Sequence, residues 1–126
     1  MKLVSYLVAA FTLACAPATA QSEFQPNTSG NAFLALCNPQ SASYQTCVWY
    51  LIGYSDGLGM TNAVLEKLGQ RQLYCMPTNG TNLLSNVTGV QMVDMVAGYL
   101  RRYPQQRHLP TPKLIIDTFR EAWPCP

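Results

Sequence analysis

The chain has little charge and almost no histidine. Charged residues are 11% of its 126 positions, and His108 is its one imidazole. The formal balance is only +2, so the strongly basic face that nucleic-acid binding needs is missing, and nothing favours an acidic substrate. There is no Cys-x-x-Cys, and one histidine leaves no zinc-ligand spacing. A nucleophile, a base and an orienting partner do not assemble around His108 alone. There is no phosphate loop, and no cofactor or metal is expected. Beyond residue 20 the carboxylates are Glu23, Asp56, Glu66, Asp94, Asp117 and Glu121, and none stands in an acid–base motif. No apolar run reaches the roughly 20 residues that cross a bilayer. Internal repeats, low-complexity tracts and a second domain are absent too.

What is present begins with an export signal. Lys2 precedes an apolar stretch over residues 3–14, and Ala18-Thr19-Ala20 forms a small-x-small cleavage site before Gln21. The alternatives are an N-terminal anchor helix, for which the stretch is short, and lipid attachment at Cys15, for which Thr12-Leu13-Ala14 is a poor box. Cleavage after Ala20 leaves 106 residues, one small domain, with seven Lys and Arg against six Asp and Glu. Cys15 leaves with the signal. Cys37, Cys47, Cys75 and Cys125 remain, and an even count in an exported chain implies two disulfides.

Residues 21–30 are polar and read as a flexible leader; residues 31–126 read as the domain. Asn31 is placed to cap a helix over 32–37 with Phe33, Leu34, Leu36 and Cys37 as its apolar set, and Asn38-Pro39 stops it. Ser41 or Ser43 caps a long helix over 44–68, with Lys67 in its last turn and Gly69 beyond. Residues 47–54 are apolar except for Gly53, a pattern that predicts burial on every side. Valine, tryptophan, tyrosine and isoleucine there also suit a strand, but the pattern's continuation through Leu58, Val64, Leu65 and Leu68 favours helix. Gly53, Gly57 and Gly59 disfavour it by roughly 1 kcal/mol each. Close approach of another helix at Gly53 and Gly57 would explain them, and Gly57→Leu would then overpack and destabilise by about 1–3 kcal/mol.

Residues 70–87 read as loop, broken by Pro77, Asn79-Gly80, Asn82 and Asn86. Thr88 to Gln91 has the form of a capping box, followed by Val90, Val93, Val96, Ala97 and Leu100 at helical spacing and Arg101-Arg102-Tyr103-Pro104 at the end. Thr111 caps a last helix with Pro112 in its first turn and Leu114, Ile115, Phe119 and Ala122 on its apolar face. The expected fold is all-α, a small four-helix array stapled by two disulfides. A long second helix sets Cys47 and Cys75 roughly 30 Å apart. With later helices running antiparallel, the third ends near Cys47 and the fourth returns to Cys75. That topology predicts Cys37–Cys47 and Cys75–Cys125, worth roughly 2.7 and 4 kcal/mol in the chain-entropy model.

Asp56 lies within the most apolar helix, either as a hydrogen-bonded or arginine-paired structural group or, functionally, as a buried contact or a switch. Arg101, Arg102, Arg107 and His108 make a small basic corner, either a solvated helix end that suits the dipole or a binding patch.

Together these residues resemble one family. They comprise Cys37, Cys47 followed by Gly53-Tyr54-Ser55-Asp56, Cys75-Met76-Pro77, a capped helix carrying Tyr99-Leu100 before Pro104, and Ala122-Trp123-Pro124-Cys125. The pattern is similar to the Rap/Tai group of type VI secretion immunity proteins, over nearly all of residues 33–125. The resemblance implies a periplasmic, all-α, commonly homodimeric protein of Gram-negative bacteria. It implies no enzymatic activity and the binding of a secreted effector, in known cases a peptidoglycan amidase. The chain departs from the family by an insertion over residues 78–87, where Asn79 and Asn82 precede Leu83 and Leu84. Such a loop can fill an apolar cleft in the effector, with Arg101 and Arg102 as a second candidate contact; equally, the leucines can pack on the protein's own core. A different class of function is a periplasmic acid-stress chaperone, which needs carboxylates or a histidine placed to trigger opening.

Overall fold

A computed structural model describes residues 24–25, 28–77 and 86–126. Among them are four α-helices, α1 (Gly30–Leu36), α2 (Tyr44–Lys67), α3 (Gly89–Arg102) and α4 (Thr111–Ala122), with a 3-10 turn at Pro104–Gln106 and no strand. The cysteines pair as Cys37–Cys47 and Cys75–Cys125, with Cα separations of 5.7 and 4.9 Å. The four-helix, two-disulfide array read from the sequence is the fold found.

α3 is the central helix: it packs against α1, α2 and α4. Its capping box forms as read, with the Gln91 amide donating to the Thr88 hydroxyl and the Thr88 amide to Gln91 Oε1, at 3.2 and 2.8 Å. Val93, Val96, Ala97 and Leu100 turn inward together with Met92 and Tyr99, whereas Val90 is exposed. On α4, Leu114, Ile115 and Phe119 are buried; Ala122 is exposed, and Thr118 takes an inner place by donating its hydroxyl to the Leu114 carbonyl at 2.7 Å. α2 ends as expected. Gly69 adopts φ 66°, its amide donates to the Glu66 carbonyl, and the Gln70 amide donates to the Leu65 carbonyl, which together close a Schellman motif.

Several local expectations are corrected. The first helix is capped by Ser29 rather than Asn31, its hydroxyl accepting from the Ala32 amide. Thr111 is the first residue of α4 rather than its cap; its fully buried side chain donates to the Thr28 carbonyl at 2.6 Å. Phe24 and residues 28–30, expected in the leader, belong to the packed domain. Phe24 is 5% exposed against Phe33 and Tyr50, and Ser29 bridges to Pro110.

The helix read as buried on every side is not. α2 buries Cys47, Val48, Leu51, Ser55 and Asn62, while Trp49, Gly53, Asp56 and Gly57 are exposed. A Cβ placed at Gly53, Gly57 or Gly59 would touch nothing within 4 Å, so among the described residues no helix packs closely on these glycines. The glycines that do are Gly89, whose Cβ would lie 2.8 Å from Val48 and Ile52, and Gly30, whose Cβ would lie 2.7 Å from Leu100.

Gly89 also revises the packing order behind the disulfides. α3 starts, rather than ends, beside the Cys47 end of α2. Cys75 is brought to Cys125 by other means. The chain after Gly69 doubles back along α2, where the Leu73 amide donates to Asn62 Oδ1 (2.8 Å) and Asn62 Nδ2 donates to the Tyr74 carbonyl (2.9 Å). Cys75 therefore stands about level with Asn62, roughly 22 Å along the helix from Cys47. α4 begins beside Tyr54, whose hydroxyl donates to the Pro112 carbonyl at 3.1 Å. It ends beside Tyr74, which packs on Phe119 and Trp123.

Candidate partner-binding site

Of the candidate contacts in the insertion, Asn79, Asn82, Leu83 and Leu84 lie outside the described residues; the two ends that hold them do not. On the near side, the Asn62 pair fixes Leu73 and Tyr74, the Cys75 amide donates to the Trp123 carbonyl at 2.8 Å, and the Cys75–Cys125 bridge closes the corner. On the far side, Thr88 and Gln91 lock the start of α3 against Val48 and Ile52. The two anchors stand at different levels of α2, one at Asn62 and one near residue 50, roughly 18 Å apart at 1.5 Å per residue. Residues 78–85 thus connect two rigid points on the buried-face side of α2.

The basic corner divides. Arg102 pairs with Glu121 at 2.5 Å and lies over the Tyr103 ring. Arg107 is structural: its Nε donates to the Leu100 carbonyl at 2.7 Å, closing α3, and its own carbonyl accepts from the Asn31 amide. Arg101 and His108 are exposed and make no ion pair among the described residues. The remaining ion pair there joins Lys113 to Asp117 along α4.

Two features went unseen in the sequence. Arg71 and Arg120 meet across a shallow depression of about 420 Å³ beside the Cys75–Cys125 bridge, with Gln72, Leu73 and Pro124 completing its walls. Arg120 Nε donates weakly to the Leu73 carbonyl at 3.3 Å. No spacing signal links residues so far apart; only the doubling-back after α2 brings them together. Such a pair suits a carboxylate of a partner protein. The second feature is the exposed apolar face of α2. Trp49 is 64% exposed, Met60 58%, Val64 54% and Leu68 67%.

Ionisable groups are mostly at the surface. Asp56, expected within a buried face, is exposed, as are Glu66, Asp94, Glu121 and His108; Asp117 is half-buried. An acid-activated chaperone needs buried carboxylates or a histidine to trigger opening, and the described residues supply none. The perturbed groups are phenols. Burial first, then the neighbouring Tyr54, pushes Tyr50 up to about 12. Burial likewise raises Tyr74 to about 12, with Tyr54 and Asp56 adding to it. Among the described residues no cluster of His, Cys, Asp and Glu is placed to hold a metal ion, and no helix is long and apolar enough to cross a membrane.

The family model of the Rap1a immunity proteins matches residues 29–125. The chain belongs to the Rap1a immunity protein family. The match begins at Ser29, the cap of α1, and ends at Cys125, the last disulfide cysteine, so it takes in all four helices and both bridges. The Rap/Tai resemblance carried by the cysteines and the closing Ala122-Trp123-Pro124-Cys125 segment is thereby borne out. No curated protein and no solved structure matches the chain.

Proposed function

We propose that this Rap1a-family chain is a periplasmic immunity protein that binds a type VI secretion effector and blocks it sterically. The observation that carries the reading is the family match, which spans the entire disulfide-bridged helical domain. The effector class proposed is a peptidoglycan amidase, the target of known family members. Inhibition needs no chemistry from this chain: an element seated in the active-site cleft excludes the substrate. Export through residues 1–20 delivers the protein to the compartment where such an effector acts, and where two disulfides form and persist.

The proposed blocking element is the insertion, with Leu83 and Leu84 as apolar contacts and Asn79 and Asn82 as hydrogen-bonding neighbours. Its support is the rigidity of the anchors. A segment tethered at Cys75 and at Thr88 loses less entropy on binding than a free tail. Arg101, exposed and unpaired in charge, and Arg102 are proposed as secondary contacts. The test is Leu83→Ser with Leu84→Ser. An unchanged melting temperature with effector affinity lowered at least tenfold, about 1.4 kcal/mol, supports the loop. An unchanged affinity, or a lowered melting temperature, refutes it. Export is tested separately by N-terminal sequencing of periplasmic protein, which should begin at Gln21.

A further inference from the structure

The two disulfides stand in different surroundings. Cys37 and Cys47 are 3% and 0% exposed, inside the core. Cys75 and Cys125 are half-buried, and Cys125 forms part of the wall of the 420 Å³ depression that Arg71 and Arg120 share. Access decides which bridge a thiolate reaches, so the second bridge is the one open to exchange.

The same depression suits an anion. Its volume falls within the range of small-molecule sites, roughly 300–1,000 Å³. Arg120 is steadied by its Nε donating to the Leu73 carbonyl at 3.3 Å, and neither arginine joins an ion pair among the described residues. Acids on the same helices are engaged elsewhere: Glu121 pairs with Arg102, and Glu66 accepts from Gln72 Nε2 at 3.2 Å. Two such guanidiniums attract carboxylates, and Leu73 and Pro124 add short apolar walls. Gln72 Oε1 lies against the Cys75 sulfur at 3.0 Å, whereas Cys125 lines the depression. A thiol held here by its carboxylates therefore meets the Cys125 sulfur first.

We propose that the Arg71–Arg120 depression is a binding and exchange site for small thiols that carry carboxylates, which form a mixed disulfide with Cys125. In that step the ligand thiolate bonds to the Cys125 sulfur and the Cys75–Cys125 bond breaks. Its electron pair leaves on Cys75, which takes a proton from water. The ligand sulfur is oxidised as Cys75 is reduced, so no other oxidant or reductant enters. Arginines beside the bridge favour both the attacking thiolate and the leaving one. Exchange removes the covalent tether at Cys75, one of the two anchors described above, and leaves Cys37–Cys47 and the core intact.

The test uses the exported, oxidised protein and two probes, glutathione and its diethyl ester, which share a thiol and differ in their carboxylates. Early samples are quenched with N-ethylmaleimide and mapped by peptide mass. Per thiolate, glutathione should react at least about fivefold faster than the ester, the scale of two solvent-exposed ion pairs. The adduct should sit on Cys125 with maleimide on Cys75, and Cys37–Cys47 should stay closed. Arg71→Gln and Arg120→Gln should each reduce the preference for glutathione. Sodium chloride at about 1 M, where the Debye length is about 3 Å, should abolish it in the wild-type protein, and this measurement decides if a variant misfolds. Equal rates for the two probes, a preference that survives salt and both substitutions, or an adduct on Cys75, Cys37 or Cys47 overturns the proposal. None of these results bears on whether the protein blocks an effector.

Discussion

Asn62 is the residue on which the loop's near anchor depends. Its side chain is 8% exposed, and both of its polar ends are used: Oδ1 accepts from the Leu73 amide at 2.8 Å and Nδ2 donates to the Tyr74 carbonyl at 2.9 Å. Asn62→Ala removes both bonds and leaves two backbone groups unpaired against α2, where water has poor access. Each orphaned group costs about 1–2 kcal/mol, and alanine's better helix propensity returns about 0.6 kcal/mol. The expected net loss is about 1.5–3.5 kcal/mol in urea unfolding, with faster hydrogen exchange at the Leu73 amide. Asn62→Asp sharpens the test. The aspartate keeps the acceptor for Leu73 but sets a second carboxylate oxygen against the Tyr74 carbonyl. That contact raises the folded-state pKa of the new acid above its unfolded value, so its stability is present at low pH and lost as pH rises through the folded pKa. The deficit relative to wild type should therefore be large at neutral pH and shrink in acid, where the protonated acid donates to Tyr74. An Asn62→Ala variant within about 0.5 kcal/mol of wild type, with Leu73 exchange unchanged, would show that the doubling-back is held without Asn62, by the disulfide and the contacts of Tyr74 and Cys75 with Phe119 and Trp123.

Three further outcomes follow from the packing. Gly57→Leu should stabilise the fold by about 0.8 kcal/mol, because open space lies above Gly57 and leucine is the better helix former; a loss in urea melts would restore the close packing that the sequence suggested. Replacing Cys75 and Cys125 with alanine should cost about 4 kcal/mol and replacing Cys37 and Cys47 about 2.7 kcal/mol, following the 50- and 10-residue separations; the order of the two melting temperatures checks it. Tyr50 and Tyr74 are both raised to about 12. A raised folded-state value means that their contribution is intact below the unfolded tyrosine pKa near 10 and disappears as pH rises towards 12. Ultraviolet titration should show two phenols ionising only near pH 12, and Tyr74→Phe should remove one of them.

The helices were legible wherever a local signal fixed them. The Thr88–Gln91 box, Gly69 after α2 and the cysteine count act over a few residues and need no partner. Misreadings arose where tertiary structure supplies the partner. Thr111 has the chemistry of a cap, but its hydroxyl serves the Thr28 carbonyl instead. The disulfide pairing was correct while its assumed packing was not, because the Asn62 contact with residues 73 and 74 carries no periodicity that a sequence displays. Residues 47–54 were read correctly as apolar all round, but burial does not follow on every side. Trp49 and Gly53 face outward and are exposed, while Tyr50, Ile52 and Tyr54 pack partly buried against the core. Of the candidate contacts, Arg101 and Arg102 are where the helix end places them, and the depression between Arg71 and Arg120 exists only once the chain has folded back.

The central claim is protection, and contact killing between sibling cells measures it directly. In a strain that carries this chain and an active type VI secretion system, deleting the coding sequence should make cells sensitive to the parent. They should stay indifferent to a secretion-deficient parent. Restoring the exported protein should restore survival, and restoring a form that lacks residues 1–20 should not. Deletion cells that compete equally well against both parents would contradict the account.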